Sequence, residues 1–408
     1  MKNFMKIKIK TLVIIFPFFF SFSLFNAENE IITIDLTKSI EGDIPMSTFF
    51  NNNIEYVKLE TTKECLLTHP SIYVTENYII ASIFFKGAYL FDRKTGKFIH
   101  EISRPGQGPE DYLNVMGLYG FNEKHKLLFF HNINHWRGFD IETNKLKVVV
   151  RNPAFLEKYN KKNKYLNINL PRMLNDSTYI GYTNNVTGKI PYQLITFNKD
   201  GEVLKEYPNY VFYDHIGMET PFNQGIFYNY DNNLYFKDQG YNDTVYKIEE
   251  NKLTPHIVFN FGDKKTNPPT TTTNINGISI ADVNIGKWSI TSVHETKKHV
   301  FFACKVSGGL RVTDNSFFSG YYDKKTQQVY TTKNHRKSSG YINNIDNFLD
   351  FQIQTINNNG EFFGIIDAEK IVDYMKKNKN NSIRSKINNI TEIQEDDNPI
   401  VVIARLRE

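Results

Sequence analysis

Few residues in this 408-residue chain stand at spacings that chemistry would need. Arg104 to Asp111 reads Arg-Pro-Gly-Gln-Gly-Pro-Glu-Asp, with paired glycines as in loops that cradle phosphate. Such a loop needs Lys and then Ser or Thr after its last glycine, and a helix behind them. Here Pro109 and Glu110 follow, and a carboxylate repels phosphate. A glycine-turned connection between strands accounts for the residues better. His131 and His135 are four apart, which on a helix would aim two imidazoles at one metal. Their surroundings, LLFFHNINHWRGFD, read as a β-hairpin, and along a strand that spacing stretches to about 13 Å. Zinc wants three or four placed ligands, and no third is apparent, so no metal site is assigned. Trp136 and Arg137 beside them suit sugar or peptide recognition; a half-buried aromatic at a strand edge is the competing reading. Arg104, His131, His135, Trp136 and Arg137 are the candidate binding residues, and none is assigned as catalytic.

Other patterns carry less. Glu395-Asp396-Asp397-Asn398 lacks the alternating spacing of a calcium loop and reads as a solvated turn. Carboxylates are too common for a glycosidase pair to be chosen without a fold to place it. No Gly-x-Ser-x-Gly segment offers an elbow nucleophile. No cofactor is expected. The net charge of +5 includes Lys2, Lys6, Lys8 and Lys10; without them it is about +1, too little for a nucleic-acid partner.

Those four lysines open a segment with its own logic. They precede an apolar run from Thr11 to Phe25 and then Asn26-Ala27 before the acidic Glu28. A basic head, an apolar core and a small residue at the junction describe a secretory signal ending at Ala27. The run is short for a membrane span, which takes about 20 residues, and no cysteine near the junction could take a lipid. The expectation is an exported protein, periplasmic or extracellular, without a lipid anchor and with no transmembrane helix after cleavage. Cys65 and Cys304 are the two cysteines. They could pair in an oxidising compartment, but both lie in strand-like runs where buried free thiols are the simpler reading.

The elements that would position such residues are strands, and they repeat. Two apolar residues, a polar residue and a short polar turn recur with central positions Phe91, Phe139, Phe197, Tyr246, Tyr322 and, more weakly, Ile366. The steps between them are close to the roughly 40–50 residues of a propeller blade; one longer step holds an insertion. Upstream of each lie short β-prone runs parted by Asn, Asp or Gly, which is hairpin chemistry. Six units of four strands predict an all-β chain: a six-bladed β-propeller over 54–408, preceded by a lead-in over 28–53. The 262–286 stretch, with two prolines and a threonine run, reads as a long exposed loop that either carries contacts or merely moves. Residues 367–395 read as a short helical segment: apolar residues at helical spacing to Lys377, then a second short helix. The Ile400–Leu406 run is a lone terminal strand that must find a partner; pairing with Ile54–Leu59 would close the ring.

The strand IEYVKLETT, the loop SRPGQGPEDY at 103–112 and the terminal EDDNPIVVIARL resemble exported six-bladed β-propeller proteins of Bacteroidetes. The resemblance runs from about residue 50 to the end. It implies the fold and the compartment, and no reaction. The functional expectation is a monomeric binding or interaction protein using a propeller face, its partner a glycan, peptide or protein. The alternative is a carbohydrate-active or lactone- or ester-processing enzyme with its site in the central channel.

Overall fold

The computed structural model describes residues 31–407 apart from 107, 109–110, 114–119, 133–134, 154–167, 184, 186–187, 215–224, 239, 269–271, 276–277, 282–283, 309–314, 334–339, 379–382, 384–385 and 388–391. Three short strands come first: β1 (Ile32–Asp35), β2 (Ile40–Gly42) and β3 (Glu55–Lys58). Blade 1 follows as an antiparallel meander of β4 (Ser71–Val74), β5 (Tyr78–Ile83), β6 (Gly87–Asp92) and β7 (Phe98–Glu101). Blade 2 has β8 (Leu127–His131), β9 (His135–Asp140) and β10 (Lys145–Arg151); its expected first strand, 115–121, falls mostly outside the described residues. Blade 3 is β11 (Ile168–Met173), β12 (Thr178–Thr183), β13 (Tyr192–Asn198) and β14 (Val203–Pro208). Blade 4 is β15 (Gly225–Tyr230), β16 (Asn233–Asp238), β17 (Thr244–Ile248) and β18 (Leu253–Asn260). After a two-stranded hairpin, β19 (Thr272–Ile275) and β20 (Ile278–Ala281), blade 5 is β21 (Trp288–Glu295), β22 (His299–Val306), β23 (Ser316–Asp323) and β24 (Gln328–Thr332). Blade 6 contains β25 (Thr355–Ile356), β26 (Glu361–Ile366) and, beyond helix α1 (Ala368–Lys377), β27 (Ile400–Arg405). The six-bladed propeller expected from the repeats is the fold.

Burial within a blade follows strand position. The two middle strands of blade 1, YIIASI and GAYLFD, are almost wholly buried, because neighbouring blades cover both faces. Outer strands such as KLKVVVR in β10 alternate exposed and covered residues, as one face meets water. Turn chemistry sets the register. Asp231 and Asn232 both adopt positive φ, +48° and +59°, making the two-residue turn that right-twisted strands prefer.

The ring closes as expected. β27 lies between β26 and β3, antiparallel to both, with Ile400 opposite Lys58 and Ile403 opposite Glu55. The blade thus takes its third strand from the C-terminus and its outermost from the N-terminus. The sixth repeat mark is corrected by this arrangement. Phe91, Phe139, Phe197, Tyr246 and Tyr322 lie on the third strand of their blades, whereas Ile366 ends the second strand of blade 6. The count survives because the true third strand follows 33 residues later.

Other expectations are refined. The 28–53 lead-in supplies strands: β1 runs parallel to β18 and β2 parallel to β24. It is a belt covering the open outer edges of blades 4 and 5, where unpaired N–H and C=O groups would otherwise face solvent. The 262–286 insertion carries a 3₁₀ turn at Gly262–Lys264 and the β19–β20 hairpin. In the 367–395 segment α1 forms, while the second helix expected after it lies largely outside the described residues; Ile383, Ile387 and Ile393 are buried in the same core as Ile371 of α1. Cys65 and Cys304 are both buried and free, and Cys65 lies in a connection rather than a strand.

Candidate functional site

A four-stranded meander puts its first and third turns at one end and its second turn, with the crossover to the next blade, at the other. Among the described residues the first end carries the tight turns, such as 75–77, 231–232, 296–298 and 324–327. The second carries the described residues of the longer connections: 59–70, 102–113, 209–214, 261–287 with its hairpin, 340–354, and 367–399 with α1. Loops on a rigid scaffold are where specific contacts concentrate, so this loop-bearing face is where a site is sought.

The residues singled out from sequence lie on that face, where blade 1 crosses to blade 2. Arg137, on β9, donates through Nη1 to the carbonyls of Gly108 (3.0 Å) and Asp111, and through Nε to His135 Nε2 (3.1 Å). Arg104 Nε donates to Asp111 Oδ1 at 3.0 Å, while Asp111 Oδ2 accepts the Gly108 N–H at 2.8 Å. The Gly108 N–H, and then the Arg104 guanidinium, hold the Asp111 carboxyl below the usual range. The two glycines therefore cradle an anion after all, and it is the loop's own aspartate. A Cβ at Gly106 or Gly108 would collide with that carboxylate. His135 also meets the Asn132 side chain at 3.2 Å. His131 packs its ring on Trp136, 4.8 Å between centroids, and burial, with His135 beside it, lowers its pKa to about 4. The His135 pKa is lowered too, by burial and Arg137. Trp136 is 2% exposed within the blade 2–blade 3 core. The structure thus gathers all five residues and commits Arg137, Arg104 Nε and His135 Nε2 to one another and to the loop, while Trp136 Nε1 is buried with no hydrogen-bond partner among the described residues. Arg104, on the surface, is the most accessible of them.

A second place on the same face was missed. Between blades 4 and 5 opens a cleft of about 430 Å³, within the range of small-ligand sites, lined by residues of both blades and of the belt. Its back is apolar: Leu36, Phe261 and Phe318, the last edge-on to Trp288 at 5.0 Å. Trp288, first residue of β21, is half-buried and presents its ring to the cleft. The Lys264 ammonium lies 4.1 Å over that ring. Glu41, on β2, and Asp263, in the 3₁₀ turn, face the cleft with exposed side chains. Ser39 and Thr331 meet across it through their hydroxyls at 3.5 Å. The chain has two tryptophans; sequence reasoning favoured Trp136, whose flanking histidines looked like a site. The available signal was that the other ends the 262–286 insertion.

Along the axis, Arg172 of β11 lies 5.5 Å from the Phe227 ring on β15 and feels the Tyr73 phenol of β4. The Tyr73 hydroxyl donates to Glu123 at 3.0 Å. Side chains of the innermost strands of blades 3 and 4 thus meet at this level. Burial raises the Glu123 carboxyl, and the Tyr73 hydrogen bond opposes that rise.

Among the described residues no helix is long and apolar enough to cross a membrane. A solved Bacteroides fragilis protein, described only as exported, superposes with a TM-score of 0.61 at 14% identity, over 93% of this chain and all of that one. The WD40 domain of Neurospora crassa Pan2 aligns at 12% identity over 64% of this chain and 63% of that one, with a TM-score of 0.32. At 14% identity the likeness to the Bacteroides fragilis protein is one of fold. No curated protein matches the chain. From residue 31 to 405 the sequence fits a single family model, and the chain belongs to that family, DUF4934, a domain of unknown function.

Proposed function

We propose that this is an exported, non-catalytic binding protein that takes its ligand on the loop-bearing face of the propeller. The observation that carries the reading is the asymmetry of the ring: among the described residues the long blade-to-blade connections gather at one end, and the 430 Å³ cleft between blades 4 and 5 opens there. Arg172 packed on Phe227 between the innermost strands of blades 3 and 4 favours binding at this face over the channel-centred enzyme. In this reading the first 27 residues are removed on export, and the mature monomer works in the periplasm or at the cell surface without a lipid anchor. The basic head and apolar run support the route, and the fold shared with an exported protein agrees with it.

The test is a thermal-shift panel of oligosaccharides, peptides and host-surface extracts against the mature chain, since a ligand that binds only the native state raises Tm. A hit must be weakened by substitutions on the loop-bearing face and not by changes at the tight turns. Uniform insensitivity to loop-face changes would sink the reading. N-terminal sequencing of the protein from its host should find Glu28, or a near neighbour, first; an intact Met1 in a cytosolic fraction would refute export.

A further inference from the structure

The cleft between blades 4 and 5 has an unusual charge inventory. Glu41, Asp263 and Lys264 all line it, and none forms an ion pair with the described residues. Elsewhere at this edge charges are matched: Asp35 takes Lys38 at 3.3 Å and Asp243 takes Lys265 at 2.5 Å. Two unspent carboxylates accept hydrogen bonds and nothing else. They stand beside an indole face, with the Ser39 and Thr331 hydroxyls between. Pyranose rings combine the two complementary features: several hydroxyl donors in the ring plane and an apolar C–H face that stacks on an aromatic. An anionic ligand would meet two carboxylates against one ammonium. An apolar ligand would leave the carboxylates it buries without donors, which is unfavourable.

Resting on the binding reading above, we infer that this cleft is a saccharide site: a neutral, hydroxyl-rich sugar ring stacks on Trp288 and donates to Glu41 and Asp263. Lys264 occupies the indole face in the empty site. An exposed cation–π contact is weak, so a sugar displaces it readily. The site also spans two elements. Leu36, Thr37, Ser39 and Glu41 belong to the belt, which is held to the blades by parallel strands of four and three residues. The remaining wall belongs to blades 4 and 5. A sugar bridging Glu41 and Trp288 therefore fastens the belt to the ring, and occupancy should be readable as protection of the belt amides.

The experiment uses the mature chain, residues 28–408, with cello-, xylo-, manno- and chito-oligosaccharides as probes, and oligogalacturonate and a peptide library as contrasting arms. Binding is measured by calorimetry, and hydrogen exchange is followed over 31–42. At least one neutral series should bind and slow exchange in the belt while leaving blade 1 unchanged. E41Q and D263N, at exposed and unpaired positions, should each weaken it at least tenfold without changing Tm. W288A should abolish it, and K264A should leave it equal or tighter. Should W288A fail to fold, because Trp288 also packs on Phe318, the two carboxylate variants decide. If neutral sugars bind but E41Q and D263N do not weaken them, or if only oligogalacturonate or peptide binds, the inference is wrong while the binding reading stands. If no probe of any class binds, both fall.

Discussion

Replacing Glu361 by Gln should unlock the seam at which the two chain ends meet. Glu361 opens β26 and is 6% exposed. It accepts both terminal nitrogens of Arg93, from a turn of blade 1, at 2.8 and 2.9 Å. It also accepts Asn357 Nδ2 at 2.8 Å and Arg405 Nη2, on β27, at 2.5 Å. Glu55 of β3 completes the clasp, 3.2 Å from each arginine. Burial alone would raise the Glu361 carboxyl, but the Arg93, Asn357 and Arg405 hydrogen bonds hold it at about 2 against an ordinary 4.5. At about 1.4 kcal/mol for each tenfold change in proton affinity, that difference is about 3 kcal/mol. The amide would also leave the Arg93 guanidinium, 12% exposed, relying on Glu55 at 3.2 Å for charge balance, where losing a buried partner altogether costs about 3–5 kcal/mol. Because Gln keeps one acceptor, and Arg405 and Glu55 are about a third exposed and partly screened, the lower figure is expected. It corresponds to a fall in Tm of roughly 4 °C for a domain of this size.

The sign with pH is fixed by a depressed folded-state pKa. The contribution is complete above the unfolded value near 4.5 and disappears as pH falls towards 2. Urea titrations of both proteins at intervals from pH 7 to pH 2.5 should show a constant gap down to about pH 5 that narrows below it. A gap that is absent at pH 7, or one that widens on acidification, would refute the clasp as the origin of stability at the seam.

Deleting residues 399–408 removes Ile400, Val401, Val402 and Ile403, all 2% exposed or less. At about 1.5–3 kcal/mol each, that rivals the whole stability of a domain, so circular dichroism should show no cooperative melt. Asn398, 1% exposed, donates to the Glu60 and Cys65 carbonyls and accepts the Leu67 N–H. N398A should therefore cost about 2–4 kcal/mol in chemical denaturation by leaving those groups unpaired. G106A should lower Tm because its methyl meets the Asp111 carboxylate. D111A in the same chain should recover part of the loss, and a double-mutant cycle showing additivity would refute that contact.

By itself the sequence determined the class, the blade count and the closing strand. Those follow from local rules: apolar runs between Asn, Asp and Gly turns, repeated at blade length, and a terminal apolar run that needs a partner. The same reasoning told that Gly106 and Gly108 make a turn, not a phosphate site. It could not tell that Asp111 fills the cradle, since that depends on where a side chain three residues on is directed. The displaced sixth mark has a similar cause: Ile366 carries the local pattern of a third strand, while the residues that make it a second strand arrive only at Ile400. The belt was invisible because ITID and IEG are too short to announce strands; they form by pairing with edges more than two hundred residues away. Trp136 and Trp288 divide the two kinds of knowledge most sharply. In the sequence Trp136 stands among histidines and an arginine and Trp288 follows a low-complexity stretch, yet blade packing buries the first and a gap between blades opens beside the second. Which aromatic meets solvent is a property of how six sheets stack about an axis, and no local pattern encodes it.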